Sequence, residues 1–140
     1  MARSTSNVDA FFIGADHGLW TASYSLAGGW NTRAIGGSSA GVAAPGAPIT
    51  AVARQLDVID VAFVGNGDKL YWSDTADGAS FTTTTIPLGE VALPYSQSVS
   101  LVSPTSSTLE VFYKDLTGRL NAATWQSGGT PWAATDVPLP

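Results

Sequence analysis

One unit of about fifty residues recurs three times along the chain, and that recurrence restricts the fold more than any other feature. Val8 to Trp20, Ile59 to Tyr71 and Leu109 to Asn121 superimpose residue by residue. The acids Asp9, Asp60 and Glu110 stand 51 and 50 residues apart, and Leu19, Leu70 and Leu120 keep the same spacing. Trp30, Phe81 and Trp132 follow at intervals of 51, and Ile35, Ile86 and Val137 come five residues after them. Four classes of position agree in register.

Each copy reads as strands joined by tight turns. Ile59 to Val64 is β-branched and aromatic, as strands prefer. Asn66-Gly67-Asp68 supplies residues that tolerate positive φ, so Leu70 to Ser73 returns as a second strand. Asp77-Gly78 turns the chain again into Phe81 to Ile86. A further strand precedes copies two and three, at Pro48 to Arg54 and Ser98 to Ser103. Four antiparallel strands per repeat of this length describe a β-propeller blade. The fold class expected is therefore all-β, with blades over approximately 1–37, 48–89 and 97–140 and Gly/Ala/Pro-rich linkers at Gly36–Ala47 and Leu88–Tyr95. Copy one is short: Met1-Ala2-Arg3 aligns with Val52-Ala53-Arg54, so most of its first strand is missing. Propellers close with about 4–8 blades. Three blades predict ring closure by oligomerisation, with six blades from a homodimer favoured. An excised or engineered piece of a longer propeller is the alternative.

Composition narrows the function. Net charge is −5 with six Lys and Arg, so there is no basic stripe for nucleic acid or an anionic membrane surface. Apolar runs such as Ile59 to Gly65 are too short to span a bilayer. Met1-Ala2-Arg3-Ser4 leads straight into the first repeat, and no signal peptide is expected there. The absence of cysteine removes disulfides and thiol chemistry and leaves the compartment open. No metal or cofactor motif is present.

Catalysis has little support. His17, the single histidine, sits in a turn, and no Gly-x-Ser-x-Gly elbow accompanies it. Most acids fall at the repeated strand starts or in turns (Asp16, Asp68, Asp77), where a structural role is the simpler reading. Ser73 to Phe81 faintly resembles the bracing Asp-box turn of sialidase-type propellers and reads as a hairpin. A remnant of a propeller glycoside hydrolase ranks last, because it needs an arginine cluster and paired acids. Trp30, Phe81 and Trp132 read as core pegs between blades. Trp20, Tyr71, Trp72 and Trp125 are either local packing or ligand platforms, with Arg33, Arg54, Asp68 and Asp74 as the nearby charges. Sugars stack apolar C–H faces on such rings and need polar partners for their hydroxyls. Trp72 and Arg54 carry most weight in this reading, because they break the repeat.

The blade motif resembles that of bacterial β-propeller lectins of the Photorhabdus lectin type. The resemblance rests on Val8-Asp9-Ala10-Phe11-Phe12-Ile13-Gly14 with Leu19-Trp20, on Gly29-Trp30 and Ile35-Gly36-Gly37, on Ile59 to Gly65 with Leu70-Tyr71-Trp72, and on Leu109 to Phe112 with Pro131-Trp132. It covers nearly the whole chain. It implies a non-enzymatic lectin that binds fucose or related glycans in grooves between blades. Six-bladed fucose lectins of fungi and Ralstonia offer a second comparison, in which short chains assemble into one propeller.

Overall fold

The computed structural model describes residues 1–35, 42–43, 46–88, 98–129 and 132–138. Most of the two expected linkers lies outside these residues, as do Pro131 and parts of the blade limits at 36–37, 89, 97 and 139–140.

Three antiparallel sheets follow one another along the chain. The first holds β1 (Asn7–Ile13), β2 (Leu19–Ser25) and β3 (Gly29–Ala34). The second holds β4 (Ile49–Ala53), β5 (Ile59–Gly65), β6 (Lys69–Thr75) and β7 (Thr82–Thr85). The third holds β8 (Val99–Thr105), β9 (Thr108–Lys114), β10 (Leu120–Gln126) and β11 (Ala133–Asp136). Each sheet is a meander of sequential hairpins, which makes it a propeller blade. The short first strand is present as a remnant: Ala2 bridges Val8, and the Asp9 amide donates to the Met1 carbonyl at 2.9 Å. Val52 and Ala53 pair with Asp60 and Ile59 in the same register.

The chirality of the turns follows from their residues. Gly67 (φ 72°) and Asp68 (φ 54°) are consecutive left-handed residues between β5 and β6, as a tight hairpin requires. His17 (φ 63°) holds the corresponding turn between β1 and β2 and is exposed.

Apolar residues collect between sheets rather than within one. One core lies between blades 1 and 2 and includes Leu19, Ile35, Ile59, Val61 and Phe63. The other lies between blades 2 and 3 and includes Ala62, Val64, Leu70, Leu109, Val111 and Trp132. Strand β5 is therefore covered on both faces, and all seven of its residues are buried. Strand β9, with a neighbour on one side, alternates between buried and partly exposed. This is the burial pattern expected of two-sided and one-sided sheets.

The peg position departs from expectation in one blade. Trp132 is 6% exposed and Phe81 half-buried, but Trp30 is 61% exposed. The cause is positional: blades 2 and 3 each have a preceding blade to receive the ring, and blade 1 has none within the described residues.

Candidate functional site

The interface between blades 2 and 3 gathers a cluster of polar and aromatic side chains. Its base is Asp60 on β5, fully buried. Burial of a carboxylate demands partners, and Asp60 has three donors. Arg54, just after β4, donates from Nε to Oδ2 at 2.6 Å and from Nη2 to Oδ1 at 3.1 Å. Trp72 on β6 donates from Nε1 to Oδ1 at 2.9 Å. The Arg54 guanidinium also lies 4.6 Å from the centroid of Trp125 on β10 and reaches the Ser106 carbonyl of blade 3 at 3.4 Å. Trp72 stands between Trp125 and Trp132, at centroid distances of 5.6 and 5.5 Å. Asp74, the cross-strand partner of Asp60, completes the group.

Two groups in this cleft have unmet hydrogen-bonding capacity. Asp74 accepts no side-chain hydrogen bond among the described residues, and its pKa is raised by burial and then by the Asp60 charge, against the opposing pull of Arg54. The indole Nε1 of Trp132 is buried with no partner among the described residues.

The cleft between blades 1 and 2 repeats the brace and changes its surroundings. Arg3 donates to Asp9 from Nε at 2.6 Å and from Nη2 at 3.3 Å, and its Nη1 lies 3.6 Å from Asp57 of blade 2. Ser23 donates to Asp9 at 2.7 Å, so a hydroxyl satisfies the carboxylate where Trp72 does so in the other cleft. Ser23 occupies the position of Asp74, and Thr21 that of Trp72. Phe11 meets Phe81 edge-on at 6.2 Å. Arg33 crosses to blade 2, where it donates to the carbonyls of Ala79 and, at 3.0 Å, Gly78, with its guanidinium 5.8 Å from the Phe81 centroid. Asp77 shapes that turn. It accepts from Thr75 Oγ1, the Ala79 amide and the Ser80 amide, which together hold its carboxyl far below the usual carboxylate range. Gly78 (φ 67°) supplies the left-handed residue the turn needs.

Arg54, Trp72, Asp74 and Trp125 are thus brought together, and Arg33 marks the neighbouring cleft. Trp20, Asp68 and Tyr71 lie elsewhere. Trp20 donates from Nε1 to Asp16 at 2.9 Å beside an open apolar groove on blade 1. Asp68 lies in the β5–β6 turn. Tyr71 stacks on Phe63 at 5.4 Å and 12°. The reading of Arg54 as a residue that breaks the repeat is corrected: Arg3 fills the same position, and both arginines neutralise a buried acid six residues later. Asp60 and Trp132 join the cleft without having been singled out as ligand residues. The equal Arg-to-Asp offset in copies one and two was the available signal for Asp60; Trp132 looked like its repeat equivalents.

Among the described residues no group of three or more His, Asp or Glu is placed to hold a metal ion. No helix among them is long and apolar enough to cross a membrane.

No protein-family model matches the chain, and no curated protein does. Solved structures do. AofleA from Arthrobotrys oligospora superimposes with a TM-score of 0.77 at 20% identity, over 99% of this chain and 40% of that one. The BP39L lectin from Burkholderia pseudomallei gives 0.74 at 22% identity, over 95% and 37%. A fucose lectin from Kordia zhangzhouensis, solved with methyl-fucoside, gives 0.61 at 12% identity, over 92% and 89%. The chain therefore spans about two fifths of the first two and most of the third. At these identities the likeness establishes the fold: the chain is three consecutive blades of a β-propeller.

Proposed function

We propose that this chain is a non-enzymatic lectin that binds fucose or a related glycan in the cleft between blades 2 and 3. The observation that carries the reading is the half-buried Asp74 carboxyl, which accepts no side-chain hydrogen bond among the described residues and lies two residues along β6 from Trp72, itself packed against Trp125. A sugar offers what this pairing needs: an apolar face for an indole and vicinal hydroxyls for a carboxylate. Arg54 serves mainly as the brace that fixes Asp60 and Trp72. Fold neighbours described as lectins, one solved with methyl-fucoside, support the same class of ligand. The blade motif supports the narrower assignment to the Photorhabdus type.

The Asp60–Asp74 pair does not suit acid–base chemistry, because Asp60 is enclosed and engages both oxygens with three donors. In this reading the functional object is a ring of six blades from two chains, which multiplies weak single sites into avidity.

Retention on fucose-agarose, with a glycan array to define breadth, tests the sugar assignment. The wild-type chain is retained, and Asp74→Ala passes through. A folded chain that binds no sugar overturns it and leaves a structural propeller segment without ligand. Light scattering tests the ring: the expected mass is twice the 14.4 kDa chain, and a monomer overturns it.

A further inference from the structure

We infer that blade 3 of one copy docks its Phe112 against Trp30 on blade 1 of a second copy, in a head-to-tail contact that reproduces the blade interfaces within the chain. The inference rests on the two-chain ring proposed above and identifies the surfaces that close it.

Each blade carries one aromatic at either of two directly opposed positions on the face turned to the following blade. The cross-strand pairs are Phe11 with Thr21, Ala62 with Trp72, and Phe112 with Ala122. One member is always an aromatic and the other small, so the volume delivered at that point is conserved while its strand alternates. Each of the first two aromatics meets the peg of the next blade. Phe11 reaches Phe81 at 6.2 Å, and Trp72 reaches Trp132 at 5.5 Å.

The third knob has no peg within the described residues. Phe112 is half-buried beside Val99 and Leu120, at an open groove of about 260 Å³. Leu120 is itself only half-buried, whereas its equivalents Leu19 and Leu70 are 1% and 0% exposed because a following blade covers them. One peg correspondingly has no knob. Among the described residues Trp30 has a ring contact only with Tyr24 of its own blade, at 5.4 Å, and Val8 and Phe12 on the same face are 40% and 39% exposed. An exposed aromatic patch of this kind marks an interaction surface. Its occupant is a second copy, because the surface that covers a peg twice in this chain is the back of a blade, and blade 3 offers one with its knob in place. The two open faces differ, so Phe112 of each copy meets Trp30 of the other, and two copies related by a two-fold axis satisfy each other at both ends.

The test uses the whole chain and two variants, Trp30→Lys and Phe112→Glu, each checked for fold by circular dichroism. Both positions lie on open faces of the single chain. Each variant alone is expected to raise the dimer Kd roughly thirty-fold or more, the scale of an aromatic hot spot. Mixing the two is expected to restore a heterodimer, since one interface is then wild type and the other sets Lys against Glu. The inference is overturned if the wild type dimerises and both variants dimerise equally well, if only one of them dissociates, or if mixing restores nothing. A monomeric wild type would instead remove the two-chain ring itself. Sugar binding enters none of these readouts, so loss of the lectin reading would leave the contact standing.

Discussion

The two clefts of this chain are built on one plan and differ in what they leave over. Both begin with an arginine after the first strand of the blade, or its remnant, and an enclosed aspartate six residues on. Between blades 1 and 2, Ser23 completes the aspartate, and Arg33 satisfies the carbonyls of the Asp77 turn. Among the described residues no buried side-chain polar atom there lacks a partner. Between blades 2 and 3, Trp72 completes the aspartate from across the strand, and the position of Ser23 is taken by Asp74. A second carboxyl beside a saturated one gains nothing for folding. A group that burial and a like charge both disfavour, yet that follows Trp72 by two residues on the same strand, is the kind of feature that marks a functional site. Shared elements therefore report on the scaffold, and the exchange of Ser23 for Asp74 reports on function.

Substitutions can break this comparison in order of size. Arg54→Ala should cost most, about 3–5 kcal/mol, because it strands the fully buried Asp60. The double variant Arg54→Ala/Asp60→Ala should cost less than the two singles added, as read by urea unfolding. Trp72→Ala should cost about 3 kcal/mol by opening a void between Trp125 and Trp132, whereas Thr21→Ala, at the same position of blade 1, should cost about 1 kcal/mol. Equal costs at the two positions would contradict the knob assignment. Arg33→Ala should cost roughly 1–2 kcal/mol, since Gly78 and Ala79 keep access to water.

Asp74→Asn should have the smallest effect on stability and the opposite sign. The pKa of Asp74 is raised in the folded state, so the unfolded chain ionises first as pH rises. Folding is therefore unpenalised below the ordinary carboxylate range and loses stability as pH climbs through the raised value. The asparagine variant should be more stable at neutral pH, by no more than about 1 kcal/mol because the group remains partly in water. The gain should vanish in acid. Thermal melts across that range check the sign, and Ser23→Ala, which removes a donor to the buried Asp9, should destabilise rather than stabilise at neutral pH. Sugar binding should weaken on acidification at a higher pH than an ordinary carboxylate would impose.

Much of the fold was legible in the sequence because it is repeated. Local spacing located the hairpins, and Met1-Ala2-Arg3 registered against Val52-Ala53-Arg54 even though only a bridge remains of that strand. The site was legible only in part. Arg54, Trp72, Asp74 and Trp125 converge because blades 2 and 3 face one another, and that apposition is not encoded in the period of any one strand. Trp30 misled for the same reason. Its repeat position marks it as a peg, but burial depends on a neighbour that repetition alone does not supply. Arg54 reads as singular when set only against the aromatics; its partner is Asp60, six residues along.

The five tryptophans permit a direct test of the claim that the blade 2–3 cleft is the sugar site. Their indole N–H signals in a proton–nitrogen NMR spectrum can be followed during titration with methyl-α-L-fucoside. The account predicts that the signals of Trp72, Trp125 and Trp132 move together, that those of Trp20 and Trp30 stay still, and that Asp74→Ala abolishes the movement. Movement confined to Trp20 or Trp30, or none at saturating sugar, would contradict it.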